Sequence, residues 1–317
     1  NSYTVISVKN LNLFLYICLV RYKAINLILK KFKKYNISII LDMEDSAQDL
    51  FDPKNNENLK QISRKGLEYL SNNNILEKLD TFVRINSQNS EFYNKDIKTI
   101  SKILKKGSTI KGIFLPKVES YSQIKDCYDL ISNSKINTTS IVPMIETKKG
   151  LENIDNILLE DEKNQIIKYV HYGHYDFCLD NELWPFPEPY HIEYWEIIEK
   201  VSKSIIKNNK KYIHTPFPLI ETENIYWSSI NYMEKKLGMD EINLSLVNID
   251  INYIKKPSKI KQTKLKNISK DDHYKKIFAE KIIKEYLNNK SKNKSFSLSR
   301  KRFIPPHLYL GAKKFLN

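Results

Sequence analysis

The sequence is poor in two residue types, and each scarcity excludes a class of protein. Only three cysteines occur, Cys18, Cys127 and Cys178, and they are widely separated with no CxxC pair. A disulfide framework and a cysteine-rich zinc site are therefore excluded, and a reducing cytoplasm is the expected location. Glycine is also scarce, with seven in the chain, and neither GxGxxG nor GxxxxGKS/T follows any apolar run. The nucleotide-binding versions of α/β folds consequently have no support.

Long hydrophobic runs are missing too. The most apolar early segment is residues 11–20, which is about half the length that a membrane-crossing helix needs. The segment also lacks the basic start and the small-residue cleavage site of a signal peptide. We therefore expect no membrane partner.

Arginine is sparse, although the chain is strongly basic. The net charge of +15 comes almost entirely from lysine, which is accompanied by abundant asparagine and isoleucine, as AT-rich coding would produce without selection for binding. Arginine is the residue suited to bidentate contacts with phosphate and guanine. We predict no nucleic-acid partner; the alternative is a polyanion-binding role for the basic residues 255–302.

Short apolar runs recur along the chain, with amphipathic segments between them. Near-continuous apolar runs are typical of strands covered on both faces. In one intervening segment Ile197, Ile198, Val201 and Ile205 fall on one helical face. Strands alternating with helices predict an α/β fold, the (β/α)8 TIM barrel, with a doubly wound open sheet as the competing interpretation. The eight predicted strands are residues 3–8, 38–43, 81–86, 112–117, 140–145, 168–173, 211–216 and 244–249.

The composition changes at Lys255, where a lysine-dense stretch begins. Residues 1–254 are predicted to form the barrel, and residues 255–317 a basic linker with a C-terminal helical extension. Within that extension, helices are expected over 277–289 and 307–316.

Charged residues stand where the predicted strands end. The run IILDMEDSAQD (39–49) has three acids within four residues, Asp42, Glu44 and Asp45, at the end of the second strand. The carboxyl ends of barrel strands open onto one face, and carboxylates that converge there repel one another unless a cation neutralises them. Oxygen ligands in small number, with room for water, suit Mg²⁺ or Mn²⁺. The residues at these strand ends are Asp42, Glu44, Asp45, Arg84, Pro116, Lys117, Glu119, Glu146 and Asp176.

Several candidates also have a plainer interpretation. Asp45 fits a helix cap equally well. His171, His174 and His214 are candidates for proton transfer, because only histidine titrates near neutral pH without perturbation; the alternative is a hydrogen-bonded histidine at a strand end. The aromatic segment 184–195 forms either a lid over the barrel mouth or packing against neighbouring helices.

Seven short motifs, in this order and spacing, resemble the citrate lyase beta-chain and malyl-coenzyme A lyase-like family of barrel C–C lyases. Each motif is short, but together they extend over about 140 residues. The motifs are LDMEDS (41–46), KQISR (60–64), VRIN (83–86), Asp96, LPKVES (115–120), IETKKGLEN (145–153) and GHYDF (173–177).

The resemblance implies a Mg²⁺- or Mn²⁺-dependent lyase or aldolase that cleaves a small 3-hydroxy acid or its coenzyme A thioester. It implies that Glu146 and Asp176 are the direct metal ligands and that Arg84 grips the substrate carboxylate. An enolate formed beside a carboxylate needs concentrated positive charge, and a divalent cation with one arginine fork supplies it. By analogy with relatives, a homo-oligomer is expected.

Other matching residues receive supporting roles by the same resemblance. Asp42 and Glu44 are expected to hold water on the metal. Pro116 and Lys117 are assigned to the substrate pocket. Lys60 and Arg64 match a helical pair with a structural or electrostatic role.

Two departures from the family pattern bear on function. The loop after VRIN lacks glycine, and the region around the eighth strand lacks the Gly-Lys and Ile-His-Pro stretches, which weakens the expectation of coenzyme A. The closing segment RKRFIPPHLYLGAKKFL has Ile304, Pro305 and Pro306 where an acid is expected. A barrel kept as a binding or scaffold module without catalysis is therefore the alternative function.

Overall fold

The structure is a computed structural model that describes residues 11–26, 30, 37–132, 139–219, 222–247, 257, 259–291, 296–297 and 302–317. Eight parallel strands close into a barrel in chain order, with β8 hydrogen-bonded back to β1. The predicted (β/α)8 TIM barrel is confirmed, because this closure excludes an open sheet. The strands are β1 Leu11–Cys18, β2 Ile37–Asp42, β3 Thr81–Arg84, β4 Gly112–Leu115, β5 Ser140–Ile145, β6 Tyr169–Tyr172, β7 Lys211–His214 and β8 Ile242–Leu246.

The first strand differs from the sequence prediction. The predicted strand over residues 3–8 lies outside the described residues, and β1 is instead Leu11–Cys18, part of the apolar run that was considered above only as a membrane span. An apolar run of strand length gives no signal that separates these two possibilities. The other seven predicted strands each overlap one strand of the barrel.

Amphipathic helices cover the outside of the barrel. In the helix Tyr93–Lys105, Ile97, Ile100 and Leu104 are buried at helical spacing, while its lysines face outward. No helix among the described residues is both long and apolar enough to cross a bilayer. The α-helices of the described residues are α1 Asn56–Asn72, α2 Tyr93–Lys105, α3 Tyr121–Ser132, α4 Lys148–Glu160, α5 His174–Asp180, α6 Ile192–Lys207, α7 Glu223–Lys235, α8 Asp272–Ser291 and α9 Pro306–Leu316.

The barrel interior is filled by large side chains, so it is a packed core and not a channel. Phe14, Phe82 and Phe114 pack edge to face within it, with ring centroids 5.4 and 5.8 Å apart. This aromatic cluster lies inside the barrel, below the carboxyl ends of the strands. Functional side chains are consequently confined to the rim above it.

The two C-terminal helices form a separate packed layer next to α5. Ile304, Leu308 and Ala312 bury their side chains against Cys178 and Phe186. The predicted domain boundary between 254 and 255 lies outside the described residues, and both helices follow it in the chain. This layer brings the end of the chain back to the barrel.

His214 joins strand β7 to helix α6 inside the protein. Its ring is 1% exposed; the Tyr194 hydroxyl lies 2.8 Å from Nε2 and the Tyr212 hydroxyl 2.9 Å from Nδ1. Burial lowers the pKa of His214 to about 3. The ring is therefore neutral and occupied by hydrogen bonds, as in the plainer of the two interpretations of this histidine.

Replacing His214 with glutamine is expected to flatten the pH dependence of stability in acid. The folded-state pKa of about 3 lies below the ordinary 6.5, so the unfolded chain takes up the proton first as pH falls. The stabilisation is complete above about pH 6.5 and is lost as pH falls toward about 3. In urea unfolding, the wild-type free energy should fall more steeply below about pH 6, by about 1.4 kcal/mol per pH unit relative to His214→Gln.

The exposed residue His273 provides the control, since His273→Gln should keep the wild-type slope. Equal slopes for wild type and His214→Gln would contradict the burial of a neutral ring.

Candidate active site

Strands β2 and β3 bring Asp42 and Arg84 together at the rim, where the two residues are register partners. Arg84 donates from Nε to Asp42 Oδ1 at 2.7 Å and from Nη2 to Oδ2 at 2.6 Å. The same carboxylate accepts the backbone N–H groups of Glu44 and Ser46. Burial disfavours the charged carboxylate, but Arg84 outweighs burial and lowers the pKa of Asp42. Asp42 thus fixes both the arginine and the following turn.

The remaining side of the Arg84 guanidinium faces the next two acids. Its Nη1 lies 3.1 Å from Glu44 Oε2 and 3.0 Å from Asp45 Oδ2. The Tyr16 ring lies against the guanidinium, with 4.9 Å between the Arg84 Cζ and the ring centroid. Tyr16 was missed in the sequence because its strand was not recognised. One guanidinium is therefore shared among three carboxylates.

A buried polar network holds the turn that carries these acids. Lys60 donates from Nζ to the backbone carbonyls of residues 43 and 44, at 3.0 and 2.6 Å. Arg64 bonds Asp96 at 3.2 Å, and Asp96 accepts both the backbone and the side-chain N–H groups of Asn86. The contacts of Lys60 and Arg64 fit a structural role, because they fix the backbone and not the open rim.

Glu146 follows strand β5 and is 1% exposed. Its Oε1 accepts the backbone N–H of Lys117 at 2.9 Å, and Thr147 caps helix α4 by accepting the N–H of Gly150. Burial raises the pKa of Glu146 well above its usual range, and the charges of Asp176 and Glu44 add to the rise. This carboxylate accordingly lacks sufficient positive charge around it.

Gly173 gives Glu146 its place. Gly173 directly follows Tyr172, the residue of β6 that pairs with Ile145 at the end of β5. A Cβ atom at position 173 would lie 2.2 Å from Glu146 Oε2. Any side chain at position 173 would therefore collide with the carboxylate. The glycine of the GHYDF motif is required for this contact and not for an unusual backbone angle.

Asp176, in the first turn of α5, is bound from two sides. Lys117 Nζ lies 3.3 Å from Oδ1, and His307 Nε2 lies 3.1 Å from Oδ2. Burial disfavours the charged form, but His307 and Lys117 outweigh burial and lower the pKa of Asp176. Pro116, which precedes Lys117, is buried at the end of β4. The structure thus brings the acids of β5 and α5 and the lysine after β4 to one rim.

His307 is the functional candidate that the sequence did not reveal. It lies in the first turn of α9, one residue beyond the position where an acid was expected and found missing. Burial opposes its protonation, but Asp176 outweighs burial and raises the pKa of His307 to about 9. Ligand atoms of Asp45, Asp176 and His307 all lie within 4.8 Å of one another. Only the folding of the C-terminal layer against α5 brings this residue to the rim.

Carboxylates outnumber cationic side chains around the acids of the rim. Burial, and then Asp45, raise the pKa of Glu44 to about 8, so both Glu44 and Glu146 resist ionisation. A divalent cation among these oxygens would supply the missing charge. Carboxylate oxygens of Glu146, Asp176 and Asp45 are chemically suited to hold Mg²⁺ or Mn²⁺.

Two further histidines and the aromatic segment make packing and hydrogen-bond contacts away from the charged rim. His171 bonds Ser245 at 3.2 Å, and His174 bonds the Tyr172 hydroxyl and the Pro187 carbonyl at 3.0 and 2.8 Å. The aromatic segment packs its Trp184 and Phe186 rings against α9. These contacts agree with the packing interpretations of the histidines and of the segment.

Gly173→Ala is expected to displace Glu146 and weaken divalent-cation binding by about tenfold or more. The added methyl group has no room beside the carboxylate. Calorimetric titration with Mn²⁺ measures the effect. Gly107→Ala is the control, because a Cβ at position 107 meets nothing within 4 Å. Unchanged Mn²⁺ affinity in Gly173→Ala would contradict the proposed geometry.

Comparisons with known proteins bear on the family and the fold of the chain. The family model of HpcH/HpaI aldolase/citrate lyase matches residues 26–213, whereas no curated protein matches the chain. A malate synthase from Haloferax volcanii, solved with pyruvate and acetyl-CoA, has 12% identity and a TM-score of 0.67, covering 95% of this chain and 88% of that one. A citrate lyase from Burkholderia xenovorans has 13% identity and a TM-score of 0.59, covering 99% and 92%.

A third similar structure is the protein CitE from Mycobacterium tuberculosis in complex with magnesium, acetoacetate and coenzyme A. It has 14% identity and a TM-score of 0.55, and the alignment covers 98% of both chains. At such identities the structural similarity establishes the fold alone. The family model, however, covers more than half of the chain, including Asp42, Arg84, Glu146 and Asp176. The protein belongs to the HpcH/HpaI aldolase/citrate lyase family.

Proposed function

We propose that this protein is a metal-dependent carbon–carbon lyase that cleaves a 3-hydroxy acid or its coenzyme A thioester. The observation that carries the proposal is the meeting of Glu146, Asp176 and Arg84 at one rim of a barrel of this family. They are linked by short contacts, through Asp45 on one side and Lys117 on the other. Residues from four separate parts of the chain thus surround one small space.

Glu146 and Asp176 are the proposed ligands of Mg²⁺ or Mn²⁺. Both carboxylates are largely buried at the rim, and the raised pKa of Glu146 supports a place for added positive charge. The bound cation would act as a Lewis acid toward the carbonyl oxygen of an oxo acid. Gly173 and the Lys117 backbone hold Glu146 in position for this task.

Arg84 is the proposed partner of the substrate carboxylate or of the enolate oxygen. Asp42 occupies Nε and Nη2, so the fork cannot rotate, and Nη1 is the atom directed toward Glu44 and Asp45. An arginine held in this way offers a fixed N–H donor where negative charge develops. Asp42 then acts as a positioning residue.

Lys117 and Pro116 are proposed to line the substrate pocket. The Lys117 side chain is 46% exposed while its Nζ contacts Asp176, so part of this side chain is open to a ligand at the rim. The neighbouring acids raise its pKa even though burial opposes the charged form. A permanently charged lysine beside the metal ligands suits a carboxylate-bearing substrate.

Whether the substrate is a free 3-hydroxy acid or its coenzyme A thioester has to be decided by measuring both. The similar CitE structure holds coenzyme A, but this chain lacks the glycine and Gly-Lys features named above. Turnover should therefore be measured with free 3-hydroxy acids and with their thioesters in parallel. Retained Mn²⁺ and oxo-acid binding without turnover in either set would favour the scaffold alternative.

Glu146→Gln and Asp176→Asn are each expected to abolish cleavage and to weaken Mn²⁺ binding by about tenfold or more, since each removes an anionic ligand. Calorimetry with Mn²⁺ and a cleavage assay measure the two effects. Glu199→Gln, on the exposed face of α6, should change neither. Wild-type activity in both site variants would refute the proposal.

Arg84→Lys tests the fork separately from the metal. The charge remains, but the geometry that pairs with Asp42 and presents Nη1 is lost. We expect kcat/KM to fall by about 100-fold or more, with Mn²⁺ affinity nearly unchanged and circular dichroism like that of the wild type. A folded variant with wild-type kcat/KM would exclude Arg84 from catalysis.

A further inference from the structure

We propose that His307 Nε2 coordinates the divalent cation together with Asp176 and Asp45, so that the C-terminal helix α9 contributes a nitrogen ligand to the barrel mouth. This inference rests on the proposed function and deepens it. The family resemblance implies direct ligation by carboxylates alone. The C-terminal nitrogen comes from the geometry of this chain.

The distances between the three side chains suit a shared ion. Ligands that bind one cation at about 2.1 Å lie roughly 3 to 4 Å from each other. His307 Nε2 and Asp176 Oδ2 are 3.1 Å apart, and the ligand atoms of all three residues lie within 4.8 Å of one another. Small side-chain movements are enough to place one ion between them.

The imidazole is held at the rim by contacts other than Asp176. Its ring stacks on Tyr175, with centroids 6.2 Å apart and planes 18° from parallel. The flanking residues Ile304 and Leu308 are buried at 2% and 0% exposure. Just before them, Arg302 and Glu188 form an ion pair in which both side chains are 5% exposed. A ligand fixed in this way loses little freedom when the metal binds.

A simple ion pair between a protonated His307 and Asp176 is the competing explanation. Ligation requires that the imidazole release this proton to solvent as the cation binds, because only the neutral ring has a lone pair for a metal. Asp176 already has a cationic partner in Lys117, so its own charge does not require a second one. Glu146, by contrast, forms no ion pair with any described residue, and its Oε1 accepts only the backbone N–H of Lys117. A divalent ion bound on Asp176 brings two charges to this group, whereas a protonated imidazole brings at most one. The charge distribution therefore favours ligation.

A nitrogen ligand also changes which metal the site prefers. The affinity of a site with an imidazole ligand rises from Mn²⁺ through Co²⁺ to Ni²⁺, whereas Mg²⁺ prefers oxygen ligands alone. Binding of Co²⁺ should consequently depend on His307 much more than binding of Mg²⁺.

Pulsed electron paramagnetic resonance of the full chain loaded with Mn²⁺ tests the ligation directly. A directly bound imidazole nitrogen modulates the echo, so the wild-type spectrum should contain a ¹⁴N coupling. The coupling should disappear in His307→Gln and persist in the control His273→Gln, which changes an exposed histidine on α8. Absence of a ¹⁴N coupling in the wild type would refute the ligation without any variant, so the proposal stays testable if His307→Gln folds poorly.

Calorimetric titration gives a second readout. His307→Gln should weaken Co²⁺ binding by about tenfold or more and Mg²⁺ binding by a clearly smaller factor. Equal losses for the two metals would overturn the nitrogen ligation, since they would indicate a general disturbance of the rim.

The outcomes separate this inference from the proposed function. One outcome is that the wild type binds Mn²⁺ without a ¹⁴N coupling and that Glu146→Gln loses Mn²⁺ binding. In that case His307 is not a ligand and the lyase proposal stands. A coupling that persists in His307→Gln assigns the nitrogen to another residue and overturns the inference. If Mn²⁺ does not bind the wild type, both proposals are overturned.

Discussion

Buried carboxylates are stable only where positive charge or hydrogen-bond donors meet them, and this requirement shapes the rim of the barrel. Asp42 meets it through Arg84 and two backbone N–H groups. Asp176 meets it through Lys117 and His307. Glu44 shares Arg84 with two other acids and Glu146 accepts one backbone N–H, and the raised pKa values of both show that these partners do not offset burial. A rim in which some carboxylates have cationic partners and others lack sufficient positive charge is suited to binding a cation.

The fold produces this rim by directing parallel strands to one end and filling the interior below them. Aromatic side chains occupy the barrel core, so the charged groups cannot move inward. The turn after β2 is fixed by Lys60, and Glu146 is fixed by the space at Gly173. Helix α9 then approaches from the side of α5. Chain segments distant in sequence thereby become neighbours at one site.

The sequence predicted the barrel well, because apolar runs of strand length alternating with helical spacing leave few alternatives. The prediction was wrong at the first strand, because the pattern favoured residues 3–8 as the strand and the neighbouring apolar run was considered only as a membrane span, whereas β1 is Leu11–Cys18. Tyr16 was missed with that strand. Strand-end position identified Asp42, Arg84, Glu146 and Asp176, which the barrel brings to one rim.

Other parts of the site depend on tertiary packing that leaves no local pattern. The pairing of Arg84 with Asp42 follows from strand register, and a sequence pattern that marks strand ends does not show which of their charges pair. His307 reaches Asp176 only because α9 packs on α5 through Ile304 and Leu308. The histidine beside the missing acid in the closing segment was the one available signal.

The central claim is that the rim holds a divalent cation against an oxygen-rich ligand, and a crystal structure with Mn²⁺ and an oxo acid tests it most directly. The account predicts an anomalous peak about 2.2 Å from carboxylate oxygens of Glu146 and Asp176, with the oxo acid between that peak and Arg84. A saturated crystal with no peak at the rim, or with its ion and oxo acid at another place in the molecule, would contradict the account.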